Sequence, residues 1–119
     1  MKFGPSAFRA LGRKPKGLGV DRMNKTEAEY SGMLDARQRA GSILFWRFEA
    51  IKIRLADNTF YTPDFLVVVN DLRLELHEVK GAFVMDDAKV KLKVAAETFP
   101  ASLVLAQKVK KAWHVEVLS

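Results

Sequence analysis

The segment Leu66-Val-Val-Val69 carries an apolar side chain at every position of a short extended stretch. Successive side chains of a β-strand point to opposite faces of a sheet, so a strand of this kind must be covered on both sides. The segment therefore predicts an interior strand of a sheet that is packed between two further layers. A chain of 119 residues is long enough to build one such domain and too short to build two.

Two segments have the features of helices that could form those layers. Asn24 and Glu27 have the spacing of a capping box, which predicts a helix over residues 25–40. A second helix is predicted from residue 86 or 87 to residue 98, and Pro100 follows it as a stop signal.

The remaining segments are rich in β-branched and aromatic residues, which predict strands. The predicted fold class is α/β: a mixed β-sheet flanked by helices, in the order α-β-β-β-β-α-β-β. The strands are expected within residues 42–55, with a bend at 49–50, and at 60–69, 73–80, 103–106 and 113–117.

Positive charge is concentrated at the N-terminal end of the chain. Residues 1–22 carry six basic side chains and one acidic side chain, so they hold +5 of the net charge of +6. They also lack a periodic apolar pattern, so we expect a flexible basic arm at 1–22 and a folded domain at 23–119. Basic arms attract nucleic acid through its phosphates, but a solubilising tail fits the charge equally well. The arm residues that we expect to contact DNA are Arg13, Lys14 and Lys16.

Composition excludes several classes of protein. The chain has no cysteine, so disulfide frameworks, zinc ribbons and thiol nucleophiles are ruled out. It has no apolar run of about 20 residues and no apolar signal-peptide core, so we expect an intracellular, cytoplasmic protein without a membrane partner. With two histidines, a histidine-rich metal site is not expected, and His77 is interpreted as a packed or surface residue.

The residues that indicate chemistry are Asp64, Glu78 and Lys80. Glu78 and Lys80 are two positions apart on one strand and therefore share a face. A three-residue turn at 70–72 would place Asp64 opposite Glu78, whereas a two-residue turn would place it opposite His77. Facing carboxylates repel each other, and a hard cation such as Mg²⁺ relieves that repulsion. Turn chemistry at Asp64 and a surface ion pair between Glu78 and Lys80 are the alternative interpretations.

These residues belong to motifs by which the chain resembles the PD-(D/E)xK nuclease superfamily, which has the restriction-endonuclease-like fold. The resemblance extends over residues 24–106 and points to small phage-borne members, among them junction-resolving enzymes such as Holliday junction resolvases. The motifs are Asn24-Lys-Thr-Glu27-Ala-Glu-Tyr30, Tyr61-Thr-Pro-Asp64-Phe-Leu66, His77-Glu-Val-Lys80-Gly81 and Asp87-Ala-Lys-Val-Lys91-Leu-Lys93.

The resemblance implies a role for each site residue. Asp64, Glu78 and the Val79 carbonyl would hold Mg²⁺, with Mn²⁺ as a substitute. Lys80 would orient or help deprotonate the attacking water and would stabilise the phosphate. Glu27 would be the carboxylate of the opening helix that reaches a metal or its water, although the capping box explains it as well. Glu29 is the second choice for that role.

Three lysines of the second helix are further candidates for DNA contact. Ala88, Leu92, Ala95 and Phe99 form its predicted buried stripe, and Lys91 lies near the edge of that stripe. We therefore expect Lys91 to reach a phosphate at the site. Lys89 and Lys93 would be general duplex contacts, or simply part of a solvated helix face.

Taken together, the sequence predicts a Mg²⁺-dependent endodeoxyribonuclease of phage DNA metabolism, acting on duplex or branched DNA such as a four-way junction. Resolving a junction needs two cuts and one chain offers one site, so a homodimer is expected. The alternatives are a non-catalytic nucleic-acid-binding protein that retains the fold and a nuclease that acts on RNA.

Overall fold

The computed structural model describes residues 22–81 and 86–118, and at 86–89 and 91 it describes the backbone but not the side chains. The predicted DNA contacts at Arg13, Lys14 and Lys16 lie outside the described residues, as does nearly all of the predicted arm. The elements are α1 (Lys25–Ala40), β1 (Ile43–Phe48), β2 (Ile53–Ala56), β3 (Thr59–Tyr61), β4 (Phe65–Val69), β5 (Leu74–Lys80), α2 (Asp86–Thr98), β6 (Ser102–Val109) and β7 (Ala112–Val117).

Five strands form a mixed sheet in the order β1-β4-β5-β6-β7. The β5–β6 pair is parallel and the other three pairs are antiparallel. Strand β4, which contains the segment Leu66–Val69, lies in the interior of the sheet, and β7 lies at an edge. The predicted fold class is therefore confirmed, with β2 and β3 pairing as a separate hairpin.

The sheet is covered on both faces, as the interior strand requires. On one face Tyr30 and Leu34 of α1 pack against Phe65 and Val67 of β4 and Val79 of β5. On the other face α2 and the β2–β3 hairpin cover a second cluster of buried side chains. It joins Leu92 and Ala95 of α2 to Leu76, Leu103 and Leu105 of the sheet. Within the described ranges, neither helix has the length and apolar character needed to cross a bilayer.

The caps of α1 are those that the sequence predicts. The Asn24 side chain accepts from the Glu27 backbone N–H at 2.8 Å, and the Glu27 side chain accepts from the Asn24 N–H at 2.9 Å. Gly41 ends the helix with φ of 88°, in the left-handed region that favours glycine.

One prediction about the strands is wrong. Residues 60–69 do not form a single strand: β3 ends at Tyr61 and β4 begins at Phe65, so five strands rather than four separate the helices. The reason is the buried Pro63, which has no N–H to donate to a ladder and restricts the residue before it. Asp64 therefore lies at a bend before β4 and not inside a strand.

Alanine substitutions at Gly32, inside α1, and at Gly41, its C-cap, should change stability in opposite directions. Gly41→Ala should lower the free energy of unfolding by about 1 kcal/mol, because alanine is strained at positive φ while nothing lies within 4 Å of the added Cβ. Gly32→Ala, inside the helix and equally open, should raise it by about 0.5–1 kcal/mol. Urea unfolding of both variants measures the two effects, and equal signs would contradict this assignment of the cap.

Candidate active site

The register of the β4–β5 hairpin determines which side chains meet. Phe65 pairs with His77, and the Val69 N–H donates to the Arg73 carbonyl at 2.9 Å across a three-residue turn at 70–72. Asp64 directly precedes Phe65 and Glu78 directly follows His77, so the two carboxylates lie side by side at the end of the ladder, and the charge of Glu78 acts on Asp64. This is the register that the metal hypothesis requires, and the prediction of an odd-length turn is confirmed.

Asp64 is held in place through its side chain and its backbone. Its Oδ2 accepts from the Val79 N–H at 2.8 Å, and its carbonyl accepts from the Glu49 N–H at 2.8 Å. Burial, followed by the negative charge of Glu78, raises the pKa of Asp64 to about 7, although the Val79 N–H opposes the shift. The fold thus holds this carboxylate where its ionised form is disfavoured.

Glu78 is almost completely buried, with 6% of its surface exposed. Its Oε1 accepts from the Tyr61 hydroxyl at 2.5 Å, and its Oε2 lies 3.1 Å from the Lys80 Nζ. Burial and the charge of Glu78 raise the pKa of Tyr61 above its ordinary value, so this hydroxyl remains a donor. Each oxygen of the buried carboxylate therefore has a partner suited to its charge.

Lys80 lies beside Glu78 on the same face of β5, as the two-residue spacing predicts. Burial disfavours its charge, but the carboxylates of Glu78, Asp64 and, more weakly, Glu27 together raise the pKa of Lys80 above its ordinary value. Lys80 is therefore an ammonium at neutral pH. In that form it can stabilise negative charge or orient a water molecule, and it has no free lone pair with which to accept a proton.

Glu27 caps α1 and lies near enough to Asp64 and Lys80 for its charge to influence them. Its Oε1 is engaged in the cap of α1, yet its charge contributes to raising the pKa of both Asp64 and Lys80. The two interpretations of Glu27 are therefore compatible, because a cap residue can also lie near the centre. Glu29 faces elsewhere: it pairs with Lys108 and accepts from the Trp113 Nε1 at 3.3 Å.

His77 lies on the opposite face of the sheet from Glu78, as predicted. Only 2% of its surface is exposed, and its Nδ1 and Nε2 lie 2.7 Å from the Tyr30 hydroxyl and 2.8 Å from Glu75 Oε1. It is a packed residue of the α1 face and takes no part in the site.

The donor set fits a hard divalent cation bound mainly by water and substrate. Among residues 22–81 and 86–118, no group of three or more acidic, histidine or cysteine side chains is arranged to hold a metal ion. What the site offers is two adjacent carboxylates, one of them with a raised pKa, and Mg²⁺ is commonly bound by one or two carboxylates with waters and phosphate oxygens.

Helix α2 borders the site on the side away from α1. Val90, Leu92 and Val94 line a groove together with Glu78 and Lys80. Lys93 is exposed, in agreement with a solvated position. The side chains of Lys89 and Lys91 lie outside the described part of the chain, so their predicted contacts stay predictions.

Sequence reasoning missed Tyr61 as a site residue. It occurs in the motif before Asp64, but it is 17 residues from Glu78 and reaches it from a different sheet. Its position opposite the buried Ile53 in an alternating hairpin is the signal that could have placed it on the inner face.

Comparison with known proteins supports the fold. No family model matches the sequence, and neither does any curated protein. The Holliday junction resolvase Hjc of Archaeoglobus fulgidus, a hyperthermophilic archaeon, aligns with a TM-score of 0.50 and 23% identity over 80% of this chain and 74% of its own. A second structure, of SSO0001, aligns with a TM-score of 0.48 and 12% identity over 76% of this chain and 48% of its own. The alignment with Hjc shows that the two chains share a fold, as the sequence resemblance led us to expect.

The raised pKa of Asp64 makes stability depend on pH in a defined direction. Because the folded pKa lies near 7 and the unfolded value near 4, stability should fall as the pH rises from about 4 through 7. With a chelator present to remove metal ions, Asp64→Asn should abolish this loss of stability. It should raise the free energy of unfolding at pH 8 by about 1–2 kcal/mol, less than the full pKa shift would give, because solvent reaches part of the carboxylate.

Denaturant titrations at pH 5 and pH 8 test this. The matched control is Asp57→Asn, which alters a 90% exposed carboxylate in the β2–β3 turn and should leave the pH profile unchanged. If Asp64→Asn is destabilising at pH 8, the conclusion that this carboxylate is held in an unfavourable environment is wrong.

Proposed function

We propose that this protein is a Mg²⁺-dependent endonuclease that hydrolyses phosphodiester bonds in DNA. The observation that supports the proposal is the β4–β5 register, which ends at Phe65 and His77 and so brings the adjacent Asp64 and Glu78 together, with the Lys80 Nζ 3.1 Å from Glu78 Oε2. A protein that only bound DNA would gain nothing from holding two carboxylates together at a cost in stability. The combination of two carboxylates and an ammonium is suited to hydrolysis at phosphorus.

Each residue has a separate task in the proposed reaction. Asp64, Glu78 and the Val79 carbonyl would hold Mg²⁺, with Mn²⁺ as a substitute, and the bound ion would lower the pKa of a coordinated water and offset charge on the phosphate. Lys80, as an ammonium, would stabilise the negative charge that develops on the phosphoryl oxygens and would orient the attacking water. Glu27 would contribute to the site through its charge or through a bound water.

The preferred substrate that we propose is branched DNA. Hjc, whose fold this chain shares, is described as a Holliday junction resolvase. Resolving a four-way junction requires two cuts and each chain offers one site, so the active form would be a homodimer. Lys89, Lys91, Lys93 and the arm residues Arg13, Lys14 and Lys16 would add sequence-independent phosphate contacts.

Lys80→Ala should separate catalysis from binding. In Mg²⁺ the variant should nick supercoiled plasmid at least about 100-fold more slowly, because it loses charge stabilisation in the transition state. Its affinity for the same DNA in Ca²⁺, measured by anisotropy, should change by less than about threefold, since one phosphate contact is lost.

The control is Arg73→Ala, which removes an equal charge from the turn end of the same hairpin and should leave nicking intact. Nicking that survives in Lys80→Ala, or that is absent from the wild-type protein, would overturn the proposed function.

Tyr61→Phe should weaken metal binding, although the Tyr61 hydroxyl is not itself a proposed metal ligand. The variant leaves Glu78 Oε1 without its hydroxyl donor, and loss of such a supporting hydrogen bond typically costs 10- to 100-fold in metal affinity. Tyr30→Phe is the matched control, since it removes the hydroxyl that contacts His77 on the other face of the sheet. Calorimetric Mg²⁺ titration should show weaker binding for Tyr61→Phe alone, and equal affinities for all three proteins would refute the role of Tyr61.

A further inference from the structure

The outer face of the β2–β3 hairpin combines an aromatic ring with two cations. Register pairs Arg54 with Phe60, and Lys52 lies two positions before Arg54, so all three share one face. The Lys52 Nζ is 4.8 Å from the centre of the Phe60 ring, and 44% of Phe60 is exposed. We call Lys52, Arg54 and Phe60 the hairpin face.

The inner face of the same hairpin is anchored in the protein. Ile53 and Tyr61 are buried against the cluster under α2, and the Tyr61 hydroxyl bonds Glu78. Phe60 is therefore adjacent in sequence to a residue that contacts the site. Because of this anchor, the hairpin face keeps a fixed position relative to Asp64 and Glu78.

A groove runs from Phe60, the one member of the hairpin face that lines it, to the site. It has a volume of about 720 Å³ and includes Phe60, Glu78 and Lys80 in its lining, with Val90 and Val94 of α2 also exposed in it. Sites of about 300–1,000 Å³ are typical for small organic groups, so the groove has room for a nucleotide. Its lining is apolar along α2, mixed along the hairpin, where Thr59 and Thr62 stand beside Phe60, and charged at the proposed cutting centre.

These features fit one kind of occupant. An aromatic ring beside cations binds single-stranded nucleic acid by stacking on a base while the cations approach the backbone phosphates. A base inside a duplex presents only its edge to a groove, so its flat face becomes available to Phe60 only when the nucleotide is unpaired. Arg54 is free to exchange its partner, since its ion pair with Asp57 is highly exposed.

We propose that the hairpin face binds an unpaired nucleotide of the DNA strand being cut, with its base on Phe60 and its phosphates near Lys52 and Arg54. The inference rests on the proposed function, because it assumes that DNA is the substrate. It adds a physical reason for the choice among DNA substrates. DNA with unpaired nucleotides at the cut, as at a flap, a gap or a branch point, is bound in preference to a continuous duplex.

The test compares two DNA substrates and three variants of the full chain in Ca²⁺. One substrate is a continuous duplex, and the other carries unpaired nucleotides that include 2-aminopurine, a fluorescent base whose emission reports stacking. Phe60→Leu should bind the unpaired substrate about 5- to 150-fold more weakly than wild type, the range for loss of one stacked base. Wild type and Phe60→Leu should bind the duplex equally, and of these two only wild type should quench the 2-aminopurine.

Two further variants guard against misinterpretation. Phe60→Trp preserves an aromatic surface and should retain the preference for unpaired DNA. Phe45→Leu removes a ring that also has a cation nearby, with the Arg47 guanidinium 5.0 Å from its centre, but it lies on edge strand β1 and does not line the groove. It should leave both affinities unchanged.

The outcomes distinguish this inference from the proposed function. Selective loss of unpaired DNA binding in Phe60→Leu supports the hairpin face even if the wild-type protein fails to nick plasmid in Mg²⁺. Nicking that persists with no selective loss overturns the hairpin face alone. An equal loss on both substrates, tighter binding of unpaired RNA than of DNA, or a change in oligomeric state without a change in DNA preference would each overturn it as well.

Discussion

The repulsion between two carboxylates is the interaction on which the proposed function depends. The β4–β5 register brings Asp64 and Glu78 face to face, and burial removes much of the water that would screen them. The surrounding groups stabilise the pair only in part. The Tyr61 hydroxyl and the Lys80 ammonium contact Glu78, and the Val79 N–H donates to Asp64. The pKa of Asp64 nevertheless stays near 7, so its negative charge is only partly compensated by the protein. A divalent cation bound between the carboxylates would supply the missing positive charge.

The rest of the fold maintains this arrangement. The interior position of β4 and β5, with α1 on one face and α2 with the β2–β3 hairpin on the other, fixes the backbone that carries the carboxylates. Side chains alternate between the two faces along β5. His77 and Val79 pack toward α1, and Glu78 and Lys80 face the groove beside α2. A rigid sheet is a suitable base for a site that must hold like charges together.

The sequence predicts the parts of this arrangement that depend on local pattern. Capping residues define α1, the apolar run at Leu66–Val69 identifies an interior strand, and the turn at 70–72 sets the register of Asp64 and Glu78. The break at Pro63 was missed because the β-forming residues on both sides outweighed one proline. The bond from Tyr61 to Glu78 could not be predicted, since alternation in the hairpin indicates only its inner face and the contact depends on how that separate hairpin packs onto the sheet.

The most direct test of the central claim is calorimetric titration of Mg²⁺ at pH 7 in two buffers of different ionisation enthalpy. If Asp64 and Glu78 share a cation, the protein should bind Mg²⁺ and release a fraction of a proton, because the ion lowers the pKa of a carboxylate that titrates near 7. Asp64→Asn should abolish the proton release and weaken binding. Binding without proton release, or binding that is unchanged in Asp64→Asn, would contradict the account.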